Sequence, residues 1–370
     1  MNSKEKLYYL TYQDFPAQTA NSQQTIGTCK YFSRYKYSVT LFFPLRSSTS
    51  DDNFENLKQY YEIKNDKFFV KGLFHKNNFE TSRWFKKIRY IYSHAYWAYQ
   101  SVNEVLNNYG VPSVFYTRSD WVFYFLSQKN IPVVFECHKI TRLRKILLKI
   151  SIKKNTSKII FLNQNLKDIT NINKKFDKRL LIQGAGFDSD YFYSTKNKIS
   201  KQVVYAGTLS RLGKNRDLDF IFNAFCDELL ADFKLKVFGG TENEVLELKE
   251  KYKELTNVSF STHVKKVKLS KELAEAEIGI LASSSDLYSK YYTDPLKFYE
   301  YVASGLKIVA TDFPSHRVLD KNKNILFFTQ NDEESFKSAL LEASKQESFG
   351  NQQETESMTS RTENIINFIS

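Results

Sequence analysis

Lys297 and Glu300 stand three residues apart in the run Asp294-Pro295-Leu296-Lys297-Phe298-Tyr299-Glu300-Tyr301-Val302-Ala303-Ser304-Gly305. Pro295 suits the first turn of a helix, where a missing N–H costs nothing, and Gly305 suits its end. The pair then shares one helix face near the N-terminus. Free N–H groups and a positive dipole end make that a place for a diphosphate. Lys297 would add charge, and Glu300 could accept hydrogen bonds from ribose hydroxyls. The same spacing also fits a surface ion pair worth a few tenths of a kcal/mol. Arg118 and His138 each close an apolar run, where a side chain can point at a ligand. Either could instead be structural, His138 as a satisfied core histidine and Arg118 as the partner of Asp120 or Glu136. Asp188-Ser189-Asp190 has the spacing of hard-oxygen ligands for a divalent cation. It follows a Gly-rich turn and not a strand, so it reads as a linker turn and no metal is predicted. Cys29, Cys137 and Cys226 are too scattered for a metal or redox motif, which fits a reducing cytoplasm.

Short apolar runs must carry these residues. The first half offers strands at 6–12, 38–44, 68–73, 114–118, 132–138 and 158–163. Helical patterns lie between them at 23–35, 84–109 and 143–149. The second half restarts with strands at 202–209, 235–239, 258–263, 278–282, 307–311 and 325–329. Helices are expected at 217–230, 243–255, 268–275, 295–304 and 333–345, with a last short one at 362–369. Such alternation predicts βαβ units and parallel α/β sheets. The length of 370 residues calls for two domains, with the polar stretch Asp188–Ser200 as linker. Two such halves facing each other would leave a cleft at the carboxyl ends of their strands. No run is apolar enough to span a membrane. The N-terminus enters Leu7-Tyr8-Tyr9-Leu10 with no long apolar core and no cleavage site, so a secretory signal is not expected.

The net charge of +13 is unevenly spread. Residues 1–198 carry +17 and the remainder −4. Lys139–Lys158 holds eight basic residues and no acid, interleaved with Ile and Leu. Arg83-Trp84-Phe85-Lys86-Lys87-Ile88-Arg89-Tyr90 mixes basic and aromatic side chains. Both suit an anionic membrane surface, although charge runs are more often solvated faces. Without a nucleic-acid-binding motif, nucleic acid is not predicted as a partner.

The run from Asp294 to Asp312 resembles the donor-binding signature of family 4 glycosyltransferases of the GT-B fold. The resemblance extends over nearly the whole chain. It takes in Asp14–Ser22 with Ser38–Leu41, Val114–Arg118, Val133–His138, Gln183–Asp188 and Tyr205–Leu209, in the family's order. It implies an α/β chain of two Rossmann-like domains with parallel sheets facing an interdomain cleft. Residues 1–192 would receive the acceptor and 193–345 would bind the nucleotide-sugar. Residues 346–370 would form a polar loop and a helix packing back on the first domain.

The implied reaction is metal-independent, retaining transfer of a hexose-type sugar from a UDP- or GDP-linked donor, with no cofactor. The acceptor would be a membrane-associated glycan: lipopolysaccharide, capsule or a lipid-linked oligosaccharide. The enzyme would act in the cytoplasm, peripherally on the inner face of the plasma membrane. A non-catalytic accessory protein that binds glycan or lipid is the alternative. The resemblance assigns the donor to Gly207, Thr208, Lys214, Arg216, Asp294, Leu296, Lys297 and Glu300. It assigns a loop near the donor phosphate to Thr19, Ala20, Asn21 and Ser22. His138 would contact the transferred sugar as a catalytic residue; Arg118, at its strand end, is the second catalytic candidate and could contact an acceptor phosphate or position the sugar. Membrane contact falls to Arg83, Trp84, Phe85, Lys86, Lys87 and Arg89. The chain departs from the family pattern at three points. Tyr292 replaces the first acidic residue of the signature, so its sugar contact is lost or is taken by Asp294 or a backbone group. Either Lys214 or Arg216 takes the phosphate-binding position after Thr208. The loop after the first strand lacks Gly-Gly. No carboxylate pair stands out as general acid and base.

Overall fold

The structure, a computed structural model, describes residues 4–46, 50–75, 86–211, 214–346 and 356–370, with backbone only at 86, 87, 211, 214 and 215. The chain forms two compact units, Met1–Gly184 with Met358–Ser370, and Ala185–Ser357.

Among the described residues, the first unit is built on seven strands: β1 (Glu5–Leu10), β2 (Tyr37–Leu45), β3 (Phe69–Phe74), β4 (Val114–Thr117), β5 (Val133–Cys137), β6 (Ser157–Phe161) and β7 (Leu180–Ile182). All pair in parallel in the order β3-β2-β1-β4-β5-β6-β7. Buried parallel strands must be apolar on both faces, and β4 and β5 are buried at every position. β1 pairs with β2 through Leu7↔Val39 and with β4 through Leu7↔Val114. The strand order reverses there, so β1 and β4 leave a crevice at their carboxyl ends. The helix Met358–Ile369 belongs to this unit, and its Ile365 lies in one core with Leu7, Tyr9, Val39 and Tyr116. Lys158 donates to the carbonyls of Phe368 (2.6 Å) and Ile369 (2.9 Å), satisfying the last turn.

The second unit carries β8 (Gln202–Ala206), a short antiparallel hairpin of β9 (Ser210–Arg211) and β10 (Lys214–Asn215), then β11 (Lys234–Phe238), β12 (Val258–Ser261), β13 (Ile278–Leu281), β14 (Lys307–Thr311) and β15 (Leu326–Phe328). Its main sheet runs β12-β11-β8-β13-β14-β15, all parallel. Strand alternation splits the core into two layers. Val203 and Tyr205 face Val237, Ile280 and Phe336, while Val204 and Ala206 face Leu281, Tyr301 and Ala310. The order again reverses at the central strand, between β8 and β13. Ala185–Phe192, placed in the first domain by the sequence, belongs to the second unit. Tyr191 and Phe192 are buried there with Tyr299 and Tyr301, so the polar stretch is anchored by its aromatic residues.

Ile365→Ala should cost the first unit about 2–5 kcal/mol. Hydrogen exchange by mass spectrometry should show faster exchange in β1, β2 and β4, with β8 and β13 unchanged.

Candidate active site

The reversal point of the second sheet is where its chemistry gathers. Leu296–Ala303 forms a helix with Pro295 at its N-cap and Gly305 (φ +72°) just past its end. Tyr301 pins it to the sheet: its hydroxyl accepts from the Ala206 N–H (2.9 Å) and donates to the Ile280 carbonyl (3.4 Å). The ring fits because Gly279 has no side chain; a Cβ there would lie 2.6 Å from it. Lys198 donates to the Ser304 carbonyl (2.5 Å) at the helix end, and burial lowers its pKa to about 8. The N-terminal turn is thereby fixed beside the exits of β8 and β13.

Lys297 lies over the Tyr205 ring (4.3 Å) and reaches the Ala282 carbonyl (3.4 Å). Its Nζ would sit 3.0 Å from a Cβ on Gly207. Burial, and then the positive charge of Arg216, push its pKa well below the ordinary lysine value. Arg216 engages the Tyr205 hydroxyl, and its buried Nε has no hydrogen-bond partner. Two cations thus crowd one spot where the nearest acid, Glu300, gives Lys297 only a lesser compensation. Glu300 is half-buried, and burial raises its pKa to about 7 against the opposing pull of Lys266 and Lys297. A site with excess positive charge, a helix N-terminus without a side-chain cap and a neighbouring hydrogen-bond acceptor can hold a nucleoside diphosphate.

Leu296 opens the helix, and Thr208 is exposed just after Gly207. Arg216 is the cation beside Lys297, and Lys214 lies on β10, where only backbone is described. Asp294 accepts from the Ala185 N–H (2.5 Å) and the Tyr299 hydroxyl (2.8 Å), holding the entry into the second unit. Tyr292 caps the helix Leu287–Tyr291, and its ring lies tilted against those of Tyr288 and Tyr291. Asp188 pairs with Lys266 (3.5 Å) and accepts from the Asp190 N–H (3.3 Å), a turn arrangement. Among the described residues no cluster of His, Cys, Asp and Glu could hold a metal ion.

Sequence reasoning missed Tyr205 and the turn Gly239-Gly240. A Cβ on Gly239 (φ +139°) would fall 1.9 Å from the Gly207 carbonyl oxygen, so only glycine lets the exits of β8 and β11 touch. Gly-Gly between an apolar run and a helical pattern was the available signal. His316, buried, donates from Nδ1 to the Thr311 carbonyl (2.8 Å) and meets Ser283 (3.2 Å); burial lowers its pKa to about 4.

In the first unit, Thr19 and Ser22 close a capping box on the helix Ala20–Ser33, after β1. Arg118 donates to the Asn21 carbonyl (3.2 Å), to the Asn21 side chain, and to Glu136 (2.8 Å). His138 is bonded to Glu136 as well. Ala20, exposed in the first helical turn, and Thr19, Asn21 and Ser22 thus gather with Arg118 and His138 at the carboxyl ends of β1, β4 and β5. Arg83, Trp84 and Phe85 lie outside the described residues. Lys86 and Lys87 open the helix Lys86–Tyr109, and Arg89 is exposed on it.

Residues 200–346 match the family described as Glycosyl transferases group 1. No curated protein sequence matches the chain. The fold is similar to solved structures along its whole length. Sucrose-phosphate synthase from Thermosynechococcus elongatus shares 12% identity over 99% of this chain and 96% of its own, with a TM-score of 0.67. Anabaena HepE in complex with UDP-glucose shares 12% over 98% and 94%, at 0.60. WaaG, a glycosyltransferase involved in lipopolysaccharide biosynthesis, shares 14% over 98% and 99%, at 0.59. These likenesses establish the GT-B fold, with its two parallel-sheet α/β units.

Glu300 titrates near neutrality, which makes two outcomes testable. Its folded pKa lies above the unfolded value of 4.5, so it favours folding at low pH, and that contribution is lost as pH rises through about 7. Glu300→Gln should therefore stabilise the fold at pH 8 by roughly 1–2 kcal/mol, the cost of an underpaired carboxylate, with little effect at pH 4. Thermal unfolding at the two pH values measures this.

Proposed function

We propose that the chain is a glycosyltransferase of group 1 that moves a hexose-type sugar from a UDP- or GDP-linked donor to a membrane-associated glycan. Lipopolysaccharide, capsule and lipid-linked oligosaccharide are the acceptor classes this reading covers, and the transfer retains the anomeric configuration. The observation that carries it is the crowding of Lys297 and Arg216 beside Gly207. Two cations held in mutual repulsion are relieved by an anion. A diphosphate there would meet Lys297, Arg216 and the first turn of the helix Leu296–Ala303, with Glu300 accepting from the ribose. As the sugar–phosphate bond breaks, charge grows on the leaving diphosphate, and fixed positive groups stabilise that charge most. On the acceptor side, His138 would contact the transferred sugar, while Arg118 is tied to Glu136 and Asn21 and acts by shaping the crevice.

Lys297→Ala and Glu300→Gln should each weaken donor binding by roughly 1.5–3 kcal/mol, the usual loss for a charge-assisted hydrogen bond. Calorimetry with UDP- and GDP-sugars is the measurement. Wild-type affinity should also fall as pH drops below about 7, where Glu300 protonates, and Glu300→Gln should lose that dependence. Unchanged affinity in both variants would refute the pocket.

A membrane-bound acceptor is supported by the outer face of the first unit, which holds three neighbouring helices, Lys86–Tyr109, Asp120–Gln128 and Arg142–Ser151. No helix among the described residues is long and apolar enough to cross a membrane. Ile88, Tyr92, Tyr96 and Tyr99 form an exposed stripe on the first of these, Tyr92 being 73% exposed. Tyr99 continues through Phe125 to Trp121 on the second. On the third, Ile146 and Ile150 are exposed between Arg142, Lys145 and Lys149. Within Lys139–Lys158, Arg144 is engaged by Asp120 (3.0 Å) and Lys158 by the C-terminal helix. An apolar, aromatic face edged by cations suits headgroup depth on anionic lipid, where each cation contributes about 1 kcal/mol. Vesicle sedimentation should show salt-sensitive binding to phosphatidylglycerol vesicles and little to phosphatidylcholine. Lys145→Glu with Lys149→Glu should reduce the former at least tenfold, a loss of about 1.4 kcal/mol or more. Equal, negligible binding to both vesicles would remove the membrane from this reading.

A further inference from the structure

The Glu136 side chain is wholly buried in the middle of a parallel sheet, and three hydrogen-bond donors and a facing guanidinium converge on its two oxygens. Oε2 receives the Tyr116 hydroxyl and faces Arg361 Nη2 (3.0 Å). Oε1 receives Arg118 Nη2 (2.8 Å) and His138 Nε2. Arg361 comes from the C-terminal helix, 225 positions further along the chain. It is also wholly buried, and its Nε donates to the Gly184 carbonyl (2.9 Å).

A carboxylate only accepts hydrogen bonds, so the His138 proton sits on Nε2. Three charged groups surround this histidine: Glu136 on its own strand, Arg118 after β4, and Arg361 on the helix. Tyr9 and Tyr116 beside them are kept neutral by burial. The Asp120–Arg144 pair bears on Cys137. Burial and the two arginines outweigh Glu136 and lower the His138 pKa to about 4. At neutral pH the ring is uncharged and Nδ1 is its acceptor atom.

We propose that Arg361 is a positioning residue for sugar transfer: it holds the Glu136 carboxylate in place, and Glu136 fixes His138 as the tautomer that accepts a hydrogen bond from a hydroxyl of the sugar. This rests on the reading that His138 meets the transferred sugar. The C-terminal helix thus does more than fill the first unit's core, since it supplies the second of two cations that a buried carboxylate needs. A purely packing role would be served by any side chain of similar volume, whereas positioning requires the charge.

The test is imidazole nitrogen NMR on the full chain, in wild type, Arg361→Lys and Arg361→Met, with His138→Gln to assign the signal. Wild type and Arg361→Lys should show a neutral Nε2–H ring at pH 7. In Arg361→Met the tautomer should become mixed and the titration should move up by a unit or more, because one positive neighbour is gone. The kcat should fall about tenfold or more in Arg361→Met and largely return in Arg361→Lys. An unaltered His138 tautomer and titration in a folded Arg361→Met protein would overturn the proposal. Should that variant not fold, Glu136→Gln decides: a mixed tautomer supports the proposal, and a retained Nε2–H ring overturns it. Nucleotide-sugar calorimetry on wild type runs alongside. Absence of donor binding there sinks the functional reading, whereas an unmoved His138 sinks only this inference.

Discussion

A charge sealed inside a parallel sheet has to be matched on the spot, because water cannot reach it, and Glu136 is where the first unit meets that demand. β5 brings the carboxylate, β4 brings Tyr116 and, just past its end, Arg118, and the C-terminal helix brings Arg361. Each contact also has a second end. Arg118 holds Asn21 at the head of the helix after β1, and Arg361 holds the Gly184 carbonyl where the chain leaves the unit. One carboxylate therefore fixes four segments distant in sequence. Losing either arginine would strand a buried charge, at a cost of several kcal/mol.

The second unit shows the opposite arrangement. Around Lys297 and Arg216 the charges do not balance, and the nearest carboxyl titrates near neutrality. A folded protein tolerates such imbalance only where the rest of the framework is secure. Here Tyr301, Gly279 and the Gly207–Gly239 contact lock the surrounding backbone. The two units share a strand order around their central strands, yet one has filled its crevice with compensating charge and the other has left it uncompensated. Strain of that kind, stored beside a helix N-terminus, marks a binding site better than the fold does.

Much of this was legible in the chain. Most strands stand within a few residues of their apolar runs, because strands covered on both faces cannot hide polar residues. Pro295 and Gly305 delimited the helix that carries Lys297 and Glu300. The helix Asp120–Gln128 escaped notice because Trp121, Tyr124 and Phe125 face outward, which erases the polar stripe that periodicity relies on. Strand β7 is too short to announce itself. The stretch after Asp188 looked like a linker because polar residues surround Tyr191 and Phe192, whose burial is decided by distant partners. Arg361 had no local signal at all; in sequence it is one more cation on an amphipathic helix. Pairings across 225 residues are invisible to spacing; of the contacts of Glu136, only the pair with Arg118 was among the readings the sequence offered.

The return of the C-terminal helix sets an order on biosynthesis. The strands of the first unit leave the ribosome first, but the last thirteen residues that complete its core are made only after the whole second unit. At roughly 5–20 residues per second that interval is on the order of 10–40 s. Meanwhile the pocket for Ile365 is open and Glu136 faces one arginine instead of two. The second unit, contiguous in sequence, can close in that time. Nascent chains of this protein therefore pass through a stage in which the later-made half is finished and the earlier-made half is waiting, the reverse of the usual sequence, and that waiting half is what a chaperone would meet.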